Sequence, residues 1–145
     1  MRSIQGRYRL GAAALLVGAA VALAGPGMSA VADESSPSGL QVKVNEPLTL
    51  QAKGVAVSVP VTVTCPAFTS ASLDVSVAQK GGNGVVSGSR SIQVQCTGSP
   101  QALVVNVTTS SRLFKSGPAF VEASLFGCTF ICGTATSSGT FTVVK

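Results

Sequence analysis

Four cysteines, Cys65, Cys96, Cys128 and Cys132, are the residues of this sequence best able to form specific bonds. An even number of cysteines in a small exported chain reads first as two disulfides, which four residues can pair in three ways. The expected pairing is Cys65–Cys96 with Cys128–Cys132. The first pair closes two similar alternating segments, Val-Thr-Val-Thr-Cys at 61–65 and Ile-Gln-Val-Gln-Cys at 92–96, and the second closes the loop Cys128-Thr129-Phe130-Ile131-Cys132. Loop-closure entropy assigns about 3–4 kcal/mol to the long bridge and about 2 kcal/mol to the short one. Those are large fractions of a domain stability of about 5–15 kcal/mol, so the bridges are expected to be structural. A zinc site or a redox pair is disfavoured, because no two cysteines have the C-x-x-C spacing and no cation flanks Cys128 or Cys132 to activate a thiolate.

The remaining chemistry is sparse. Without histidine, Ser-His-Asp and Cys-His nucleophiles and histidine-ligated metals are excluded. The five acids are Asp33, Glu34, Glu46, Asp74 and Glu122, so a carboxylate pair for glycoside hydrolysis would need Glu46, Asp74 and Glu122 to meet in space. Gly81-Gly82-Asn83-Gly84 lacks the Lys-Ser/Thr of a phosphate cradle and reads as a tight hairpin turn. Asn106-Val107-Thr108 matches a glycosylation sequon inside an expected strand, a chance match. No enzyme activity and no cofactor or metal are expected.

These residues have to be positioned by strands. Val55, Val57, Val59, Val61, Val63 and Cys65 occupy every second position, a row that only a strand places on one face. Pro60 interrupts that row's ladder and predicts an edge segment or a bulge. The alternation recurs at Leu73-Val75-Val77, Ile92-Val94-Cys96, Leu103-Val105-Val107, Val121-Ala123-Leu125 and Phe141-Val143, with a shorter strand around Leu48 to Gln51. Turn residues separate the runs, and no 3.6-residue period occurs. The expected fold is therefore all-β, an antiparallel immunoglobulin-like β-sandwich of about seven strands.

Ahead of the strands stand a basic stretch with Arg2, Arg7 and Arg9, an apolar run from Leu10 to Ala24, and Ala30-Val31-Ala32, which fits an A-x-A cleavage site. Residues 1–32 are read as a secretory signal, 33–39 as a flexible lead-in and 40–145 as one domain. The run is too short before Gly25-Pro26 for a spanning helix, so the expectation is a secreted, extracellular protein with no stable membrane insertion after cleavage. Cleavage removes three of the ten cations, and the mean hydropathy of +0.48 is inflated by the same segment. Seven cations against five anions is too small an excess to point to nucleic acid.

Val-Thr-Val-Thr-Cys-Pro (61–66), Val-Gln-Cys-Thr-Gly (94–98) and Ala-Ser-Leu-Phe-Gly-Cys-Thr-Phe-Ile-Cys-Gly (123–133) together resemble small secreted immunoglobulin-like proteins of actinobacteria. The resemblance covers nearly all of the chain after residue 32. It implies the fold and export but no site. The Cys128-to-Cys132 segment is also similar to the short second bridge of the neocarzinostatin-type chromophore-binding proteins. Here that loop is one residue shorter, and the first bridge spans 31 positions instead of a short loop.

If strand directions alternate, Phe68, Phe130 and Ile131 share the cysteine end as a partner-binding patch. Six cations, Lys53, Lys80, Arg90, Arg112, Lys115 and Lys145, share the opposite end as a site for anionic polymers. The expected role is a monomeric, non-enzymatic binding or cell-envelope accessory module whose partner is a protein or an envelope polymer. The alternatives are a small-molecule carrier of neocarzinostatin type and a secreted protease inhibitor. Intact-mass analysis of the protein recovered from culture medium is expected to show a chain starting at Asp33 with no thiol alkylated before reduction; a mass that retains residues 1–32 would contradict the signal reading.

Overall fold

The computed structural model describes residues 32–34, 39–67 and 69–145. The expected signal segment, apart from Ala32, lies outside the described residues, as does Phe68. The described chain is built of strands: β1 (Ala32–Glu34), β2 (Gln41–Val44), β3 (Leu48–Gln51), β4 (Ala56–Thr64), β5 (Ser70–Gly81), β6 (Gly84–Gln95), β7 (Gln101–Thr108), β8 (Gly117–Cys128) and β9 (Cys132–Val144). Ala32–Glu34, which joins the last residue of the expected signal to the first two of the expected flexible lead-in, instead pairs as a strand with Thr136–Ser138 of β9.

The strands form two packed layers. In one, β4 pairs with β7 along one edge and with β2 and β3 in succession along the other. The second layer runs β9-β8-β5-β6, and every pairing in it is antiparallel. The pairing is not antiparallel throughout, as the sequence reading had it: Leu48 and Thr49 of β3 lie parallel to Val143 and Val144 of β9. Alternation fixes the faces of the strands but not the direction of a partner, and β3, short and between two layers, can border both β4 and β9.

The period-two rows behave as the sequence requires. Val57, Val59, Val61 and Val63 are fully buried, and so are Leu73, Val75, Val121 and Leu125 from the facing layer. Each such side chain contributes about 1.5–3 kcal/mol relative to exposure. Pro60 is not on an edge strand, since it faces Val104 of β7. Its carbonyl accepts from the Asn45 N–H at 2.8 Å, on the side where β2 gives way to β3. A residue's N and O point to the same side of a strand, so the proline nitrogen faces this interruption, where no ladder bond is lost.

At the edges, β6 meets the chain just past the end of β7 through an isolated bridge, Gly88 to Thr109. A Cβ at Gly88 would lie 2.3 Å from the Thr108 carbonyl oxygen, so only glycine permits this approach. The core is sealed differently at its two ends. Cys65 and Cys96, both buried, join the ends of β4 and β6 across the layers with Cα atoms 5.3 Å apart. At the other end Phe114, from the 109–116 connection, is buried at 1% exposure, and its N–H donates to the Gly54 carbonyl at 2.8 Å. Gly54 has φ of 101°, and a Cβ there would lie 2.4 Å from the Phe114 oxygen.

Truncating this plug tests its role. Phe114→Ala is expected to cost about 3–5 kcal/mol in denaturant unfolding, whereas Leu113→Ala, at a neighbouring side chain that is half-exposed, is expected to stay within about 0.5 kcal/mol. Equal small losses would show that Phe114 does not close the core.

Candidate functional site

The long hairpin β5–β6 decides where the sequence-predicted residues fall. Gly82 and Asn83 alone connect the Gly81–Gly84 pair, and Val85 and Val86 begin β6 rather than forming a strand of their own. Strand direction therefore alternates from β4 to β9. The chain turns at 65–69, 96–100 and 129–131 at one end, and at 52–55, 82–83 and 109–116 at the other.

At the first end both expected disulfides are present, and no free cysteine remains. Cys128 and Cys132 are directly opposed at the mouth of the β8–β9 hairpin, with Cα atoms 3.9 Å apart. The bridge confines a three-residue tip whose Phe130 is 105% exposed and whose Ile131 is 72% exposed. Phe130 therefore does not cap the core. The adjoining turns are stitched together by hydrogen bonds from the Cys96 N–H to the Thr69 carbonyl and from the Gly98 N–H to the Cys65 carbonyl.

At the opposite end two anchors hold the 109–116 loop. One is the Phe114 plug. The other is Gln79, a buried amide on β5: its Nε2 donates to the Lys115 carbonyl at 2.7 Å, and its Oε1 accepts from the Lys115 N–H at 2.8 Å. A buried amide satisfied on both sides fixes the backbone it grips. The gripped loop lies beside the β5–β6 turn, with the Arg112 guanidinium so close to Gly84 that a Cβ there would sit 3.2 Å from its Nη1. Between loop and hairpin is an open cleft of about 450 Å³ lined by Lys80, Arg112 and Lys115 together with Leu113 and Asn83. Lys53 stands on the 52–54 turn at the same end, at a left-handed φ of 57°, and Lys145 follows Val144, which pairs with Thr49 there.

Arg90 does not belong to this group. It pairs with Val75 near the middle of the hairpin, because the turn is at residues 82–83 and everything from Gly84 to Gln95 is strand. Its position lines a separate opening of about 280 Å³ between β6 and β7, with Ile92, Val104 and Asn106.

The acids fall elsewhere. Asp74 pairs with Ser124 and Ser91, and Glu122 pairs with Ser76 and Ser138. The structure thus makes Asp74 and Glu122 diagonal neighbours on the outward face of β5 and β8. Glu46 is apart from them, its Oε1 accepting from the Thr142 N–H at 3.3 Å. Among the described residues no cluster of three or more metal-ligating side chains occurs, and no helix is long and apolar enough to cross a membrane. No protein-family model, curated protein or solved structure matches the chain.

The exposure of the hairpin tip has a direct consequence for stability. Phe130→Ala is expected to change the unfolding free energy by no more than about 0.5 kcal/mol; a loss of several kcal/mol in a thermal or denaturant melt would mean that the ring is a core cap after all.

Proposed function

We propose that this chain is a secreted, non-enzymatic binding module of immunoglobulin-like architecture that attaches to anionic polymers of the cell envelope through its cationic end. The observation that carries this reading is the cleft between the 109–116 loop and the β5–β6 turn, where Lys80, Arg112 and Lys115 converge. Arg112 and Lys115 lie on a loop gripped by Gln79 and plugged by Phe114, and Lys80 lies on β5 next to Gln79, so little ordering entropy is lost when a ligand is bound. An arginine among them supplies a planar fork suited to phosphate or carboxylate oxygens, and the lysines add point charge. The two buried disulfide-bonded cysteines and the small aromatic content fit a domain made for an oxidising, extracellular setting.

Contacts of this kind are screened. The Debye length falls from about 30 Å at 0.01 M salt to about 8 Å at 0.15 M, so binding is expected to weaken steeply across that range. A second reading, in which the disulfide-closed tip enters a cleft on a protein partner such as an extracellular protease, is favoured by the full exposure of Phe130 and by that alone. The small-molecule carrier draws less support, because the openings large enough for a ligand lack mostly apolar walls: the cleft of about 450 Å³ is lined by Lys80, Arg112 and Lys115, and one of about 550 Å³ by Ser76, Ser87, Ser89 and Thr108.

Chromatography on immobilised anionic wall polymer decides the leading reading. The native protein is expected to be retained at about 0.01 M salt and released well before 0.5 M, and Arg112→Glu/Lys115→Glu, checked for an unchanged circular-dichroism spectrum, is expected to flow through. Equal retention of the two proteins would remove the cleft as the binding site.

A further inference from the structure

The outward face of the β9-β8-β5-β6 layer is rich in hydroxyls, with Lys80 of β5 and Val85, Gln93 and Gln95 of β6 among its other residues. Ser72 and Ser76 of β5, Ser87, Ser89 and Ser91 of β6, Ser124 of β8, and Thr140 of β9 share it by strand parity. Small hydroxyl residues are the ordinary solvent face of a sheet and by themselves carry nothing. Two features depart from that background. Phe120 and Phe126 project from β8 onto this face at 48% and 49% exposure, although every core position of that strand is already filled by Ala119, Val121, Ala123 and Leu125. Their neighbours across the strands are small, Ala78 and Thr140 beside Phe120 and Ser72 and Thr134 beside Phe126, so neither ring is packed under a larger side chain. The second feature is the acidic pair. Asp74 and Glu122 lie on the same face between the two rings, flanked by Ser76, Ser91 and Ser124.

From this placement we infer that the outward face of β8 and β5 binds an extended, uncharged glycan chain, with sugar rings stacked on Phe120 and Phe126 and their hydroxyl and amide hydrogens donated to Asp74 and Glu122. The six-residue separation of the phenylalanines along β8 spans roughly 20 Å, which suits a ligand of several linked rings rather than a monosaccharide. Ionised carboxylates only accept hydrogen bonds, so they call for a ligand rich in O–H and N–H donors, and pyranose rings offer such donors at their rims and apolar C–H faces to the aromatic rings. Charge complementarity disfavours the polyanions assigned to the cleft at the stretch between the two rings, where Asp74 and Glu122 would repel phosphate and carboxylate; Lys80, the cation of this face of β5, lies beyond Phe120 at the end next to the cleft. The face and the cleft are therefore separate sites, and the glycan site stands whether or not the cleft binds a polymer.

The test uses the full mature chain, 15N-labelled, titrated with the soluble β-1,4-linked N-acetylglucosamine hexamer at 0.3 M salt, where contacts to the cationic end are screened. Amide shifts are expected along residues 72–76 and 120–126 and not in the 109–116 loop. Phe120→Ala and Phe126→Ala are each expected to weaken binding by about three- to tenfold, Phe126→Trp to restore it, and Asp74→Asn/Glu122→Gln to weaken it without unfolding the domain. Binding that is unchanged in both alanine variants, or shifts confined to other residues, would overturn the assignment. So would a concentration-dependent dimer that is lost in the same variants while the hexamer leaves the spectrum unaltered, because the face would then be an interface between two copies of this chain.

Discussion

The organising constraint is the closing of a core that has almost no large rings to fill it. Among the described residues the interior between the layers is built of valine, alanine and leucine, with Phe114 and Phe141 as its buried aromatic residues. Such a core is thin, and water must be kept from entering at both ends. One end is sealed covalently by Cys65–Cys96, the other by the Phe114 side chain with Gly54 pressed against its backbone. Polar cross-links support the seals: Gln79 holds the 109–116 loop, and the buried Ser137 hydroxyl accepts from the Val44 N–H, tying β2 to β9.

What the two ends can do follows from how they are sealed. The plug requires a loop that dips into the core and returns, and the residues on either side of Phe114 are left outside, held to a fixed backbone. Leu113 and Lys115 are those residues, with Arg112 next along the loop. The disulfide end needs no such loop, so the β8–β9 turn is short, and its apolar tip stands clear of the core instead of contributing to it. Neither end needs the outward face of the second layer, which is free to carry side chains chosen for contact rather than packing. Phe120 and Phe126 cost a solvent-facing sheet some solubility, and a ligand that covers them would give that cost a purpose.

Much of the fold was legible in the sequence because a strand with one buried face must alternate. The Val55-to-Cys65 row predicts β4 nearly to its ends, and Leu48 to Gln51 matches β3. The cysteine pairing followed from the same parity, since Cys65 and Cys96 end two equivalent rows. Gln41–Val44 was passed over because four residues with only Val42 and Val44 buried give too short a pattern to stand out, and its partners are fixed by tertiary contacts. The parallel contact of β3 with β9 left no mark on either segment. Nothing in the sequence marks that β6 starts directly after the tight turn and continues past Gly88, so Arg90 reads as a residue of the turned end, whereas it lies in mid-strand. The cationic end was readable only in outline. Phe114 and Gln79, which hold it in place, belong to an irregular loop and to a row of buried valines, where neither residue type announces a structural task. The outward phenylalanines were hidden within the alternation itself: Phe120 and Phe126 occupy the positions between the buried ones, and their exposure becomes meaningful only when β5 is laid alongside.

On the proposed function the two ends of the domain are chemically distinct, and the plugged end takes up anionic polymer. Mapping backbone amide shifts of residues 33–145 during titration with a soluble glycerol-phosphate oligomer at low salt examines it most directly. Shifts are expected at residues 52–55, 80–84 and 110–116, with the 128–132 loop silent and the changes reversed by added salt. Shifts centred on Phe130 and Ile131, or none at the plugged end, would contradict it.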